Sequence, residues 1–299
     1  MNITINEVGM RDGLQMEKKQ VPADIKKQWI EMLISSGIKR IQLGSFVHPV
    51  KVPQMADTDE LFRFFTAKYP EVKFSGLALN EKGVERGMAC GVEIFSMGVS
   101  ASETHSMKNT GMSSSEAADR IIAMAKDVIS TGKKVQVSVQ SAFGCGFEGN
   151  IAPERVYTLI DKYLEAGINF INLADTAGHA NPLQVERMIK EIKRKSENIE
   201  IACHFHNTYG LGMANCLAAM KQGVSYFETA AGGLGGCPFT KVAAGNVCTE
   251  DMVHFLQREG FRPDINLSGL IELAKEMSGF FEKELPGHVY KTGPLTIKN

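Results

Sequence analysis

The chain has 299 residues, and its 33 basic and 34 acidic side chains give a formal net charge of −1 at pH 7. This balance excludes a surface that coats nucleic acid or another polyanion, because such a surface needs a basic surplus. Hydrophobic residues make up 43% and charged residues 22%. These fractions are typical of a globular protein and exclude an intrinsically disordered or collagen-like chain.

The sequence carries no signal for membrane insertion or secretion. No stretch approaches the roughly 18 uninterrupted apolar residues of a membrane span, and the N-terminal segment lacks the charged and apolar regions of a signal peptide. None of the six cysteines stands in a C-x-x-C pair, so neither a zinc ribbon nor a thioredoxin motif is indicated. We therefore expect a cytoplasmic protein with reduced cysteines and with no nucleic-acid or membrane partner.

Short apolar strands alternate with amphipathic helices along the chain. A strand is predicted over Ile3–Val8, and a helix over residues 23–36 follows it. Gly37 stands at the C-cap position of that helix, and the run Ser113-Ser114-Ser115-Glu116 offers a hydroxyl cap to a helix that runs to about residue 130. Further strands are predicted near residues 38, 72, 92, 134, 168, 199 and 224, and further helices over about 57–68, 81–90, 153–166, 182–195, 210–222, from Thr249, and over 267–284.

This alternation requires parallel strands joined by crossover helices. Eight such units predict an α/β fold, a (β/α)8 TIM barrel with a short C-terminal helical extension. We expect a single domain, with the barrel over about residues 1–260 and the extension over about 261–299. The alternative, an open dinucleotide-binding sheet, lacks a G-x-G-x-x-G motif after the first strand.

Polar residues stand where predicted strands end, which is where a barrel places its active site. His204 and His206 lie two residues apart on a strand, so both imidazoles point to one side and can bind one cation. Two hydrogen-bonded structural histidines are the alternative. Asp12 adds a carboxylate and Asn246 a carbonyl oxygen. Two nitrogen and two oxygen ligands suit a divalent magnesium, manganese, cobalt or zinc ion with open positions.

Three further features of the barrel mouth each allow two interpretations. Arg11 stabilises an oxyanion beside the metal, or forms a structural ion pair. Cys237, in a glycine-rich loop, is an acid/base group on a mobile lid or an ordinary small buried side chain. Residues 100–109 form a loop at the mouth or a solvated polar connection.

The motifs together resemble the hydroxymethylglutaryl-CoA lyase family, within a superfamily of metal-dependent TIM-barrel lyases and synthases. The resemblance extends from residue 3 to about 285. It is carried by these segments: Glu7–Gln15, Ser45–Pro49, Val52–Met55, His204–Gly210, Gly232–Pro238 and Gly245-Asn246.

This resemblance implies that a divalent metal, Mg²⁺ or Mn²⁺ with Zn²⁺ or Co²⁺ possible, is bound by Asp12, His204, His206 and Asn246. It implies that Arg11 stabilises an enolate and that Cys237 is an acid/base group, so the expected catalytic residues are Arg11, Cys237, His204 and Asp12. Gln15 and Asp175 are expected to line the substrate pocket.

The implied reaction cleaves the C2–C3 bond of a 3-hydroxy-3-methylglutaryl-CoA-like thioester. The products are acetyl-CoA and a keto acid, which for HMG-CoA is acetoacetate. The resemblance thus implies an acyl-CoA as the small-molecule partner, a role in leucine degradation and ketone-body formation, and a homodimer.

The sequence departs from the family pattern at the barrel mouth. Gln42 stands where the family has glutamate, Ser138 where it usually has tyrosine, Gln140 where it has serine, and Asn207 where it has aspartate. Gln42, Ser138 and Gln140 are therefore expected to contact an altered substrate, such as citramalyl-CoA, which releases pyruvate. A condensing synthase that uses acetyl-CoA stays open, as does a scaffold without catalysis, for which only Gln42 argues.

Overall fold

The computed structural model describes residues 2–236 and 245–295. Within these ranges eight parallel strands close into a barrel in chain order, with β1 hydrogen-bonded to β8. The strands are β1 Thr4–Glu7, β2 Arg40–Ser45, β3 Lys73–Leu77, β4 Ile94–Ser100, β5 Lys134–Gln140, β6 Phe170–Asp175, β7 Glu200–Phe205 and β8 Tyr226–Thr229. The predicted (β/α)8 barrel is confirmed.

Helices surround the barrel, and two more follow it. They are α1 Ala23–Ser35, α2 Thr58–Lys68, α3 Glu81–Ala89, α4 Glu103–Thr110, α5 Ser114–Ser130, α6 Pro153–Glu165, α7 Pro182–Lys193, α8 Gly212–Lys221, α9 Thr249–Arg258, α10 Leu267–Phe281 and α11 Val289–Thr292. The predicted hydroxyl cap of α5 is confirmed: Ser113 is the capping residue, and Glu116 completes a capping box with it. The rings of Trp29 in α1 and Phe280 in α10 lie 5.4 Å apart, edge to face. None of the helices in the described ranges has both the length and the apolar character needed to cross a membrane.

One connection differs from its prediction. Residues 100–109 were expected to form a loop, but α4 begins at Glu103. The Ser102 hydroxyl accepts a hydrogen bond from His105 N and caps the helix, while Ser102 Oγ also donates to Glu148. This short helix brings its side chains over the carboxyl ends of the strands.

The interior of the barrel is unusually polar for this fold, in which bulky branched side chains commonly fill the centre. The buried polar side chains there are Asn6, Gln42, Ser75, Ser96, Gln136, Asn172 and Glu228. Gln42 Nε2 donates to Ser96 Oγ at 2.9 Å across the barrel. Apolar side chains on the other strand faces, such as Leu43 and Phe95, pack beneath the helices. These side chains can therefore hydrogen-bond to polar residues at the carboxyl end of the barrel.

Two buried carboxyl groups at the barrel rim make stability depend on pH. Burial raises the pKa of Glu7 to about 7 and that of Glu250 to about 8, from an ordinary 4.5. Glu250 Oε2 accepts a hydrogen bond from Gly232 N at 3.0 Å. Because the folded state holds these protons and the unfolded state has lost them, the free energy of unfolding falls as pH rises from about 4.5 to about 8.

We expect Glu250→Gln to flatten this decline, since a neutral amide keeps the oxygen that accepts from Gly232. The reduction in slope is up to about 1.4 kcal/mol per pH unit. Denaturant unfolding at several pH values from 5 to 9 measures it. Glu272→Gln, at an exposed ion pair, is the matched control and should leave the slope as it is. Parallel curves for wild type and Glu250→Gln would contradict the expectation.

Candidate active site

Four predicted metal ligands meet at the carboxyl end of the barrel. Asp12 lies in a tight turn after β1, in which Val8 O accepts from Asp12 N at 2.7 Å. The Nε2 atoms of His204 and His206 lie 2.9 Å apart. Asp12 Oδ2 is 3.8 Å from His204 Nε2 and 4.0 Å from His206 Nε2. The spacing of two residues therefore places both imidazoles on one side, as the sequence predicts.

Asn246 contacts the same carboxylate oxygen. Its Nδ2 donates to Asp12 Oδ2 at 2.9 Å and to Leu234 O at 2.8 Å. Both amide hydrogens are thus engaged, and Oδ1 is buried without a hydrogen-bond partner within the described part of the chain. A buried acceptor without a donor is unfavourable unless a cation or water completes it.

The charges around these atoms favour a cation. Burial, together with the charge of His204, lowers the pKa of His206 to about 4, so its ring is neutral at pH 7. Burial acts to raise the pKa of Asp12, but Arg11 and the two imidazoles outweigh it and hold that pKa well below its usual range. The ligand atoms of Asp12, His204 and His206 all lie within 4.8 Å of one another. A neutral imidazole and an ionised carboxylate are ordinary ligands of divalent metals, so the residues fit such an ion.

Arg11 is fixed beside this cluster by two contacts. Its Nη1 donates to Asp12 Oδ1 at 2.6 Å, and its Nε donates to Gln42 Oε1. Gln42 is fully buried and lies behind Arg11 rather than on the cavity wall. The amide therefore keeps the acceptor that holds the guanidinium, although it lacks the charge of a carboxylate.

A cavity of about 250 Å³ opens in front of Arg11 and the histidines. It is lined by Arg11, Asp12, Gln15, Met16, His105, Asn109, Ser138, Gln140, Asn172, Ala174, Thr176, His204, His206, Glu228 and Gly236. Gln15, Ser138 and Gln140, which are expected to contact the substrate, stand on its wall, and that contact stays a prediction. A larger cavity of about 620 Å³, around Arg40 and Arg262, opens at the opposite mouth, and the described site residues do not line it.

Other predicted residues lie elsewhere. Asp175 is fully buried and its Oδ1 accepts from Ala180 N at 3.1 Å, so it is not on the cavity wall. Burial raises its pKa to about 7. Asn207 Oδ1 accepts from Gly212 N at 3.0 Å and supports the start of α8. Cys237 lies outside the described residues, and its catalytic role stays a prediction.

Sequence reasoning missed several side chains of the cavity. Glu228 Oε2 lies 3.0 Å from His204 Nδ1. A charged residue inside a predicted buried strand was a usable signal for it, and Asn172 in β6 carried the same kind of signal. His105 and Asn109 reach the cavity because α4 forms where a loop was expected.

Gly245 allows the close chain approach that places Asn246. A Cβ at this position would lie 2.0 Å from Gly233 O and 2.6 Å from Gly235 O, so the backbone itself would have to move. Gly245→Ala is expected to displace Asn246 and to raise the Kd for Mn²⁺ roughly 10-fold or more. Titration followed by electron paramagnetic resonance (EPR) measures the Kd. Gly279→Ala, where a Cβ meets nothing within 4 Å, is the control, and equal affinities of the two variants would refute the argument.

Residues 2–277 match the family model described as HMGL-like. The chain belongs to the HMGL-like family. A hydroxymethylglutaryl-CoA lyase of Bacillus subtilis is 34% identical over 284 residues, which is 95% of each chain. An (R)-citramalyl-CoA lyase of Chloroflexus aurantiacus is 34% identical over 302 residues, covering 98% of this chain and 95% of that protein.

A solved structure agrees with this assignment. An HMG-CoA lyase from Acinetobacter baumannii, in complex with coenzyme A and 3-methylmalate, superposes with a TM-score of 0.92 at 36% identity. The match covers 100% of this chain and 97% of that chain. These similarities confirm the family predicted from the motifs and the predicted enzyme class, a lyase.

Proposed function

We propose that this HMGL-like protein is a divalent-metal-dependent carbon–carbon lyase for a 3-hydroxy-3-methylglutaryl-CoA-like thioester. Its products would be acetyl-CoA and a keto acid, acetoacetate in the case of HMG-CoA. The observation that carries the proposal is the convergence of Asp12, His204 and His206 with the fixed guanidinium of Arg11 in one cavity. The names of the relatives support the thioester class of substrate.

The metal ligands and Arg11 would act on different parts of the substrate, the hydroxyl and the thioester carbonyl. Asp12, His204, His206 and Asn246 would hold Mg²⁺ or Mn²⁺, with Zn²⁺ or Co²⁺ possible, and the bound ion would supply a Lewis acid that lowers the pKa of the substrate hydroxyl. A base removes the hydroxyl proton, the C2–C3 bond breaks, and its electron pair passes to the acetyl-CoA enolate.

Arg11 stabilises the negative charge on that enolate oxygen. The contacts with Asp12 and Gln42 orient the guanidinium before the reaction, so little reorganisation is needed when the charge develops. An acid then protonates the enolate carbon, and Cys237 is our candidate for an acid/base role.

A related substrate is the second candidate function. One relative is named (R)-citramalyl-CoA lyase at the same identity as the hydroxymethylglutaryl-CoA lyase, and Ser138 and Gln140 line the cavity here. A citramalyl-CoA-type thioester would yield acetyl-CoA and pyruvate. The condensing direction would use the same residues, so product analysis in both directions separates it from cleavage.

The test supplies purified protein with Mg²⁺ or Mn²⁺ and offers HMG-CoA beside citramalyl-CoA. Acetoacetate as the faster product supports the first candidate, and pyruvate as the faster product supports the second. Chelation with EDTA should abolish either activity, and added metal should restore it. Intact metal binding without cleavage of either thioester would contradict the proposed function. The cytoplasmic location, the homodimer and the part in leucine degradation or ketone-body formation stay predictions.

A further inference from the structure

Buried polar side chains connect β1 and β8 to the candidate metal ligand on β7. Asn6 Nδ2 donates to Glu228 Oε1 at 3.1 Å, and Glu228 Oε2 lies 3.0 Å from His204 Nδ1. Asn6 is 3% and Glu228 4% exposed. The strand register sets Glu228 opposite both Asn6 and His204. Closure of the barrel therefore builds this Asn6–Glu228–His204 chain into the fold.

Glu228 decides which nitrogen of His204 carries the hydrogen. An ionised carboxylate accepts hydrogen bonds and has none to donate, so the hydrogen of the neutral ring lies on Nδ1. The lone pair then lies on Nε2, the atom that faces His206 Nε2 and Asp12 Oδ2. In the other tautomer Nε2 would carry a hydrogen and could not bind a cation.

Glu228 also adds a buried negative charge beside the ligands. Among the described residues that line the cavity, Glu228 and Asp12 supply two carboxylates beside the guanidinium of Arg11. Although Glu228 borders the cavity, its two oxygens are engaged by Asn6 and His204. It is thus placed to act through His204 rather than on a substrate.

We propose that Glu228, oriented by Asn6, is a positioning residue that fixes the tautomer and ring orientation of His204 and thereby sets the metal affinity of the site. This inference rests on the metal site of the proposed function. Carboxylates behind ligating histidines commonly change metal affinity by about 10–100-fold.

Two measurements test the proposal, and neither uses a thioester. Nitrogen-15 NMR of histidine-labelled, metal-free protein, at a pH at which both imidazoles are neutral, reports the tautomer of His204, and EPR titration reports the Kd for Mn²⁺. In Glu228→Gln we expect His204 to lose its pure Nδ1–H form and the Kd to rise about 10–100-fold. Glu228→Asp keeps the charge and the acceptor, so it should recover part of the affinity.

Asn6→Ala should raise the Kd by a smaller factor than Glu228→Gln. Because Asn6 acts through Glu228, the Kd for Mn²⁺ of the double variant Asn6→Ala/Glu228→Gln should be close to that of Glu228→Gln alone. If Glu228→Gln does not fold, Asn6→Ala and Glu228→Asp carry the same comparison.

Ser75→Ala is the matched control, since Ser75 is buried in the same polar interior but lies on β3, which pairs with β2 and β4 rather than with β7. Its Kd should equal that of wild type. The proposal is overturned if Glu228→Gln keeps the wild-type tautomer and Kd, or if its Kd rises no more than that of Ser75→Ala. If the protein binds Mn²⁺ but cleaves neither acyl-CoA, the proposed lyase function is contradicted, whereas the role of Glu228 in metal binding is not.

Discussion

We expect Arg11→Gln to lower kcat for cleavage of the substrate's C2–C3 bond by about 10²–10³-fold, because removing one preorganised donor at a developing oxyanion costs that much. The guanidinium reaches both Asp12 Oδ1 and Gln42 Oε1, and a shorter neutral amide cannot replace its charge at the enolate. The affinity for Mn²⁺ should hold or rise, because Asp12 loses the cation that competes for its charge. Steady-state kinetics and EPR titration measure the two effects separately.

Two comparisons sharpen this expectation. Arg11→Lys keeps the charge but lacks the fork that contacts Asp12 and Gln42 together, so we expect most of the loss to remain. Arg155→Gln removes a half-exposed ion pair with Glu148 away from the metal ligands and should leave kcat unchanged. A fall in kcat of less than about 5-fold for Arg11→Gln would rule out its role at the enolate, since that is far below the range for such a donor.

The features predictable from sequence are those that short-range geometry determines. A strand repeats every two residues, so His204-x-His206 fixed a common direction for both imidazoles before any tertiary contact was known. The serine run at residues 113–115 indicated a helix start for the same reason, since capping by a hydroxyl is local, and the structure shows that Ser113 is the capping residue. Alternating strands and helices then sufficed for the barrel and for placing Asp12 at its mouth.

The features that escaped prediction depend on contacts between distant segments. α4 is polar over most of its length, so it offers little of the apolar periodicity from which a helix is predicted. Glu228 meets His204 because of the register between β7 and β8, which closure of the whole barrel determines. Gln42 was predictable in part. The sequence shows that an amide replaces the charged carboxylate of the family, but only the structure shows that the amide oxygen still accepts a hydrogen bond from Arg11.

Asp12→Asn should weaken both the binding of the metal and the positioning of Arg11. Asp12 is the carboxylate among the candidate ligands, so its loss should raise the Kd for Mn²⁺ by more than the 10–100-fold that losing an outer partner costs. Its two oxygens accept from Arg11 Nη1 and Asn246 Nδ2, and an asparagine would set its own NH₂ group against one of these donors.

The guanidinium or Asn246 must therefore move, and kcat should fall even at saturating Mn²⁺. Asp264→Asn, which removes an ion pair with Arg262 at the opposite mouth of the barrel, is the matched control and should bind Mn²⁺ as wild type does. If Asp12→Asn regained full kcat at high Mn²⁺, Asp12 would serve only as a ligand. Its contact with Arg11 would then have no part in orienting the cation at the enolate.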